Sequence, residues 1–292
     1  MIDREENPEI LNSFLDYNMN VLNKSPNTLK EYNYDLNTFL KFLKIHFHAT
    51  SETDFEQITI SDIDIAFLKK VTLNDIYSFL GYLANEHKSM PATRARKTSA
   101  IKAFFKYLTQ KANLLEVNPA QNLEMPKIGK RLPKYLSLED SQKLLKVTYS
   151  EDNRNKERDY AIITLFLNCG MRLSELVGIN LKSIDFSEEK LTVIGKGNKE
   201  RTIYLNKACM NSINEYLKVR PHDKIKPASK DALFLSERRE RISNRTVQNV
   251  VKNELKKAGL DITKYSTHKL RHTAATLMYK YGNVDIRALQ EL

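Results

Sequence analysis

Two cysteines, eight glycines and eight prolines are few for 292 residues. With a hydrophobic share of 41%, so little glycine and proline excludes extensive disorder and fits a folded, helix-rich chain. Cys169 and Cys209 lie far apart and show no paired-cysteine spacing, so neither a structural disulfide nor a zinc site is expected. Long apolar runs are absent: the longest, around Tyr160 to Leu167, is far too short to span a bilayer. The opening Met1-Ile2-Asp3-Arg4-Glu5-Glu6 has neither the basic start nor the apolar core of a secretory signal. A cytoplasmic protein with no membrane partner is expected. Acid is also short, with 36 Asp and Glu against 47 Lys and Arg and a net charge of +11. Such a surface attracts polyanions, of which nucleic acid is the commonest, although surplus lysine also serves solubility alone. The length suggests two domains, each able to bury its own core.

The first part reads as a set of amphipathic helices. Ser25-Pro26 supplies an N-cap and a first-turn proline, after which Leu29, Tyr32, Leu36, Phe39, Leu40 and Leu43 recur at helical spacing. A second helix opens near Pro91, with Ile101, Phe104, Phe105 and Leu108 as its buried stripe. Its opposite face carries Arg96, Ser99, Lys102 and Lys106, which suit phosphates but suit a solvated face as well. Residues 126–136 follow as a proline-interrupted linker, and every charged group from Lys127 to Lys134, including Lys130 and Arg131, is positive. The expected division is therefore a helical domain over 1–125, this basic linker, and a second domain over 137–292.

In the second domain Ser137 is a candidate N-cap, with Glu139 and Asp140 in the first turn. Residues 157–169 form a strongly apolar helix that Gly170 ends. Residues 191–194 and 201–205 read as two strands joined by a glycine-bearing turn, a β-hairpin. Helices are expected over roughly 207–219, 243–258 and 267–281. The second of these starts on Ser243, with Ile242 and Val247 as a hydrophobic staple, and its exposed face offers Arg245 and Lys252.

Three segments carry chemistry. In Gly170-Met171-Arg172-Leu173-Ser174-Glu175-Leu176, an arginine stands at the turn between two helices; by itself it could cap carbonyls or pair with Glu175. Lys196 sits between two glycines at the hairpin tip, where a solvated turn lysine is the plainer reading. Ser266-Thr267-His268-Lys269-Leu270-Arg271-His272 opens a helix. There His268 and Arg271, three apart, share a face beside backbone N–H groups suited to a phosphate oxygen. His272 falls on a neighbouring face, where a core or supporting role is expected.

Together these segments are far more specific than any of them alone. GMRLSEL, VIGKGNKER and HKLRHTAATLMY, in that order, resemble the tyrosine recombinases, and most of all the Xer-type recombinases and integrases of bacteria. SPNTLKEYNYDL, RKTSAIKAFFKYL and NPAQNLEMPKIGKRLPKYLS extend the likeness over nearly the whole chain. The resemblance implies a mainly α protein with a small β-sheet, built as a two-domain DNA clamp. Its N-terminal part would be a helical SAM-like core-binding domain, and its C-terminal part an α+β catalytic domain.

The resemblance also implies roles. Arg172 and Arg271 would hold the non-bridging oxygens of the scissile phosphate. Lys196 would protonate the departing 5′-oxygen, and His268 would assist proton transfer at the nucleophile or hold it in place. A tyrosine forming a 3′-phosphotyrosyl bond would conserve the phosphodiester energy, so neither ATP, metal nor any other cofactor is expected. The partner would be a double-stranded DNA recombination site bearing a homo- or hetero-tetramer, with a second recombinase or a DNA translocase left open. DNA contacts are expected from Arg96, Ser99, Lys102, Lys106, Lys130, Arg131, Arg245 and Lys252.

The family pattern continues from a segment like Asp285-Ile286-Arg287-Ala288-Leu289-Gln290-Glu291-Leu292 into Leu-Gly-His and then the tyrosine, whereas this sequence stops at Leu292. Neither Tyr279 nor Tyr281, on the His268 helix, fits the nucleophile's place. The chain as written is thus expected to hold DNA without cutting it. A non-catalytic relative that occupies recombination sites and a type IB topoisomerase are the alternatives. The four convergent cationic and imidazole groups argue against the first, and the N-terminal segments against the second.

Overall fold

The computed structural model describes residues 4–129, 134–195 and 199–282. The chain divides into two compact units, 1–130 and 131–292. The first unit is helical: α1 (Glu9–Asn20), α2 (Pro26–His46), the single turn α3 (Ile65–Leu68), α4 (Leu73–Asn85) and α5 (Pro91–Gln110). Local chemistry sets the helix starts. The Ser25 hydroxyl accepts from the Thr28 N–H ahead of Pro26. Thr72 and Asp75 cap α4 reciprocally, each side chain accepting from the other's backbone N–H. The expected stripes face inward, with Leu36, Phe39, Leu40 and Leu43 of α2 and Ile101, Phe104, Phe105 and Leu108 of α5 all buried. Phe14, Phe39, Phe79, Phe104 and Phe105 form the aromatic heart of this core, mostly edge to face, with Phe39 5.1 Å from Phe79 and Phe14 5.4 Å from Phe104.

The second unit opens with α6 (Leu138–Thr148), capped by the Ser137 hydroxyl on the Asp140 N–H. The next helix, α7 (Lys156–Cys169), lies at its centre. Ala161, Ile162, Ile163, Leu165 and Phe166 are all inaccessible, so the middle of this helix is covered on every side, as its apolar stretch requires. Gly170 ends it at φ 57°, a left-handed position that favours glycine.

The short α8 (Leu173–Gly178) leads to an antiparallel sheet of β1 (Ile184–Asp185), β2 (Lys190–Ile194) and β3 (Glu200–Tyr204), in the order β1-β2-β3. The expected hairpin is thus present with a third strand, whose two residues are too short to carry an alternation signal. Then come α9 (Lys207–Val219), α10 (Asn244–Lys257) and α11 (Thr267–Tyr281). Ser243 caps α10 through the Thr246 N–H, and Ile242 and Val247 are both buried beside it.

Cys169 and Cys209, 40 residues apart, meet in this core as free thiols with their sulfurs 3.7 Å apart. Among the described residues no helix is long and apolar enough to cross a membrane.

Candidate active site

The turn after α7 and the start of α11 bring two arginines together. Arg172 stands at the N-cap of α8, and Glu175, in the first turn of that helix, reaches back to it. One Glu175 oxygen accepts from the Arg172 backbone N–H at 2.7 Å and the other accepts from the Arg172 guanidinium at 2.7 Å. Because both bonds run within one helical turn, they hold the guanidinium at the helix entrance while 43% of the side chain remains exposed.

Arg271 arrives from α11 and donates to the Gly170 carbonyl at 2.7 Å, across 101 residues of sequence. That bond is available because the α7 helix ends at Gly170 and leaves its carbonyl outside the helical ladder. Burial, and next the charge of nearby Arg172, pull Arg271 below the ordinary guanidinium value. From so high a starting point it stays charged at any working pH.

The Glu175 side chain is fully inaccessible. A buried carboxylate is stable only if its charge is met, and here three guanidiniums meet it. Arg172 is bonded as above, Arg201 of β3 lies 3.0 Å from the second oxygen, and Arg271 stands at 3.9 Å. Burial pushes the Glu175 carboxyl up, but hydrogen bonds from Arg201 and from the Arg172 amide and side chain outweigh it and hold the group below the usual carboxylate range. Three positive groups around one negative one leave two positive charges unmatched beside an open surface.

The hairpin closes on the same spot. The Gly195 N–H donates to the Lys199 carbonyl at 2.7 Å, and a β-carbon at Gly195 would lie 3.3 Å from Glu175 Oε1 and 3.9 Å from Arg172 Nη1. Gly195 therefore lets the strand end lie directly against the arginine–glutamate pair. Lys196, one residue on, lies outside the described residues.

His268, exposed in the first turn of α11, has its Nε2 3.0 Å from Nε2 of half-buried His272 one turn along. Burial first, then His268, Lys269 and Arg271, lower the pKa of His272 and favour its neutral form. Tyr279 and Tyr281 are exposed at the far end of α11.

The expected DNA contacts are placed unequally. Arg245 and Lys252 are exposed on α10, and Lys106 is exposed on α5. Arg96 is ion-paired to Asp35 at 2.5 Å and also to Glu31. The Lys102 ammonium donates to the Leu123 carbonyl at 2.7 Å, and the Ser99 hydroxyl donates to the Ala95 carbonyl at 3.1 Å. Lys130 and Arg131 lie outside the described residues.

Residues 134–292 match the phage integrase family, and residues 11–112 match the phage integrase N-terminal SAM-like domain. The chain belongs to the tyrosine recombinases of the phage integrase family. It is 56% identical to the tyrosine recombinase XerC of Caldanaerobacter subterraneus subsp. tengcongensis, over 98% of this chain and 79% of that protein. It is 31% identical to the tyrosine recombinase XerC of Leptospira interrogans, over 97% of this chain and 84% of the relative.

Among solved structures, XerH site-specific recombinase bound to palindromic difH substrate has a similar fold. The TM-score is 0.71 at 22% identity, over all of this chain and 89% of that one. A lambda integrase dimer bound to a COC′ core site has a TM-score of 0.65 at 16% identity, over 96% of this chain and 93% of that one. The tyrosine recombinases to which it belongs are enzymes of site-specific recombination that cleave and rejoin DNA strands.

The sequence neighbourhood of Arg201 does not mark it as a site residue. Its signal is strand alternation: in Glu200–Tyr204 it shares the inward face with Ile203, and a charged residue there needs a counter-charge.

Proposed function

We propose that this recombinase holds a double-stranded DNA site and presents one scissile phosphate to Arg172 and Arg271. The observation that carries this reading is the pair of positive charges left over around Glu175. A phosphodiester enters with one negative charge and approaches two as a fifth oxygen adds to phosphorus, so the surplus matches the transition state better than the ground state. The tyrosine oxygen attacks phosphorus and its proton passes toward His268. The bond from phosphorus to the 5′-oxygen breaks, and that oxygen takes its proton from Lys196. Rejoining is the reverse with a new 5′-hydroxyl.

Arg245, Lys252 and Lys106 track neighbouring phosphates, joined by the basic segment with Lys130 and Arg131. Arg96, Ser99 and Lys102 contribute after exchanging their present partners. Two sites pair through a tetramer of this chain, or of this chain with a second recombinase, in the cytoplasm. The relatives named XerC support this Xer-type duty over that of a topoisomerase or a passive site-binding protein.

The test is a nicked suicide DNA carrying the recombination site, given to a polypeptide that continues past Leu292 through a Leu-Gly-His and tyrosine segment of the family's kind. A covalent protein–DNA adduct that survives denaturant and forms in the presence of a chelator is expected. Failure of any adduct to form on such DNA would refute the reading.

A further inference from the structure

We propose that Arg201 is a positioning residue for strand cleavage: by occupying Glu175 from the sheet side, it keeps that buried carboxylate from capturing Arg271, which faces the phosphate beside Arg172. The proposal rests on the reading above, in which Arg172 and Arg271 hold the scissile phosphate.

Arg201 enters from the middle of the hairpin, opposite Val193 of β2, and turns inward with Ile203. Its Nη2 lies 3.0 Å from Glu175 Oε2, with 22% of its side chain exposed against none of Glu175. The same oxygen accepts from the Arg172 N–H at 2.7 Å, and the other accepts from the Arg172 guanidinium at 2.7 Å. Arg271 is left at 3.9 Å, beyond hydrogen-bond reach of the carboxylate, and spends its Nη1 on the Gly170 carbonyl.

If Arg201 is removed, Oε2 loses a charged donor in a site that water does not reach. Arg271 is the next cation in line, and closing the 3.9 Å gap would pull it toward Glu175 and off its present bond. The surplus of two positive charges would fall to one at the same time, with an under-neutralised anion left behind the phosphate. Both changes weaken transition-state charge stabilisation more than DNA binding, because many other cations contribute to binding.

Fold stability alone does not account for this arginine. Its Nε is buried with no hydrogen-bond partner among the described residues. Half-satisfied buried ion pairs are commonly matched or bettered by apolar side chains of similar volume. Arg201→Met is therefore expected to fold.

The experiment compares Arg201→Met, Arg201→Lys, Glu175→Gln and the double variant Glu175→Gln/Arg201→Met in the tyrosine-bearing polypeptide, on the suicide substrate at saturating DNA. Arg201→Met should slow adduct formation roughly 10- to 100-fold, the effect of losing one charge-assisted hydrogen bond. Its DNA affinity should stay within about threefold of the parent's. Arg201→Lys, which keeps the charge, should recover part of the rate. The double variant should be faster than Arg201→Met alone, because no buried carboxylate remains to draw Arg271 away; loss of packing alone would not be relieved by a second substitution.

On the 292-residue chain, a carbon-13 carboxyl titration by NMR should find Glu175 titrating below the usual carboxylate range, and higher in Arg201→Lys than in the parent. A parent rate for Arg201→Met, equal defects in Arg201→Met and Arg201→Lys, additive defects in the double variant, or an ordinary Glu175 titration in the parent would each overturn the proposal. If the parent polypeptide itself makes no adduct, the recombinase reading fails instead, and the Glu175 titration still decides whether Arg201 controls that carboxylate.

Discussion

Replacing Arg271 by methionine tests the reaction chemistry most directly. The side chain is 15% exposed and its guanidinium is fixed by one 2.7 Å bond to the Gly170 carbonyl. Methionine fills much of the same volume, so the main structural loss is that charge-assisted bond, about 1.5–3 kcal/mol. The catalytic loss is larger. A guanidinium about 4 Å from a phosphate oxygen interacts by about 4 kcal/mol at the effective dielectric of a protein surface. Only the part that grows as negative charge accumulates on phosphorus accelerates the step. Loss of one fixed donor to such an oxygen costs roughly 10²- to 10³-fold in rate. The thermal midpoint should therefore shift by several degrees, DNA affinity should fall by much less than the rate because many other cations contribute to binding, and adduct formation should slow by roughly 10²- to 10³-fold.

The assay is single-turnover adduct formation on the suicide substrate at saturating DNA, with affinity measured separately by titration. A rate within threefold of the parent's would remove Arg271 from the phosphate. A fall in affinity as large as the fall in rate would make it a general DNA contact.

The other expectations concern the DNA surface, the general acid and the fold. The logarithm of affinity should fall linearly and steeply with the logarithm of salt concentration, and a flat plot would rule out multiple phosphate contacts. Lys196→Ala should cleave ordinary DNA very slowly, yet cleave a substrate with sulfur at the 5′-bridging position at near the parent rate, since a thiolate leaves without a proton. Equal impairment on both substrates would assign that lysine to positioning and make Lys199 the next candidate. Ser243→Ala should cost about 1 kcal/mol in urea unfolding through loss of the cap on the Thr246 N–H, and no change would mean that solvent already replaces that bond.

What the sequence determined by itself is what depends on near neighbours along the chain. Ser25, Ser137 and Ser243 cap helices through N–H groups three residues on, so the starts of three helices are local facts. The inward stripes of α2 and α5 follow from helical period alone. The order of the GMRLSEL, GKG and HKLRH motifs was enough to recognise the reaction family, because these residue types seldom recur together.

Contacts between distant segments belong to the tertiary structure. The Arg271 bond to Gly170 spans 101 residues and the meeting of Cys169 with Cys209 spans 40; no periodicity encodes either. Arg96 reads as an open cation on a helix face, and only the packing of α5 against α2 shows it paired to Asp35, 61 residues away. Arg201 reads as a charged residue in an ordinary strand until the sheet turns it onto Glu175, 26 residues earlier. A carboxylate's charge is indifferent to sequence distance and sensitive to a few ångströms of space, so its partners become known only when the chain is folded.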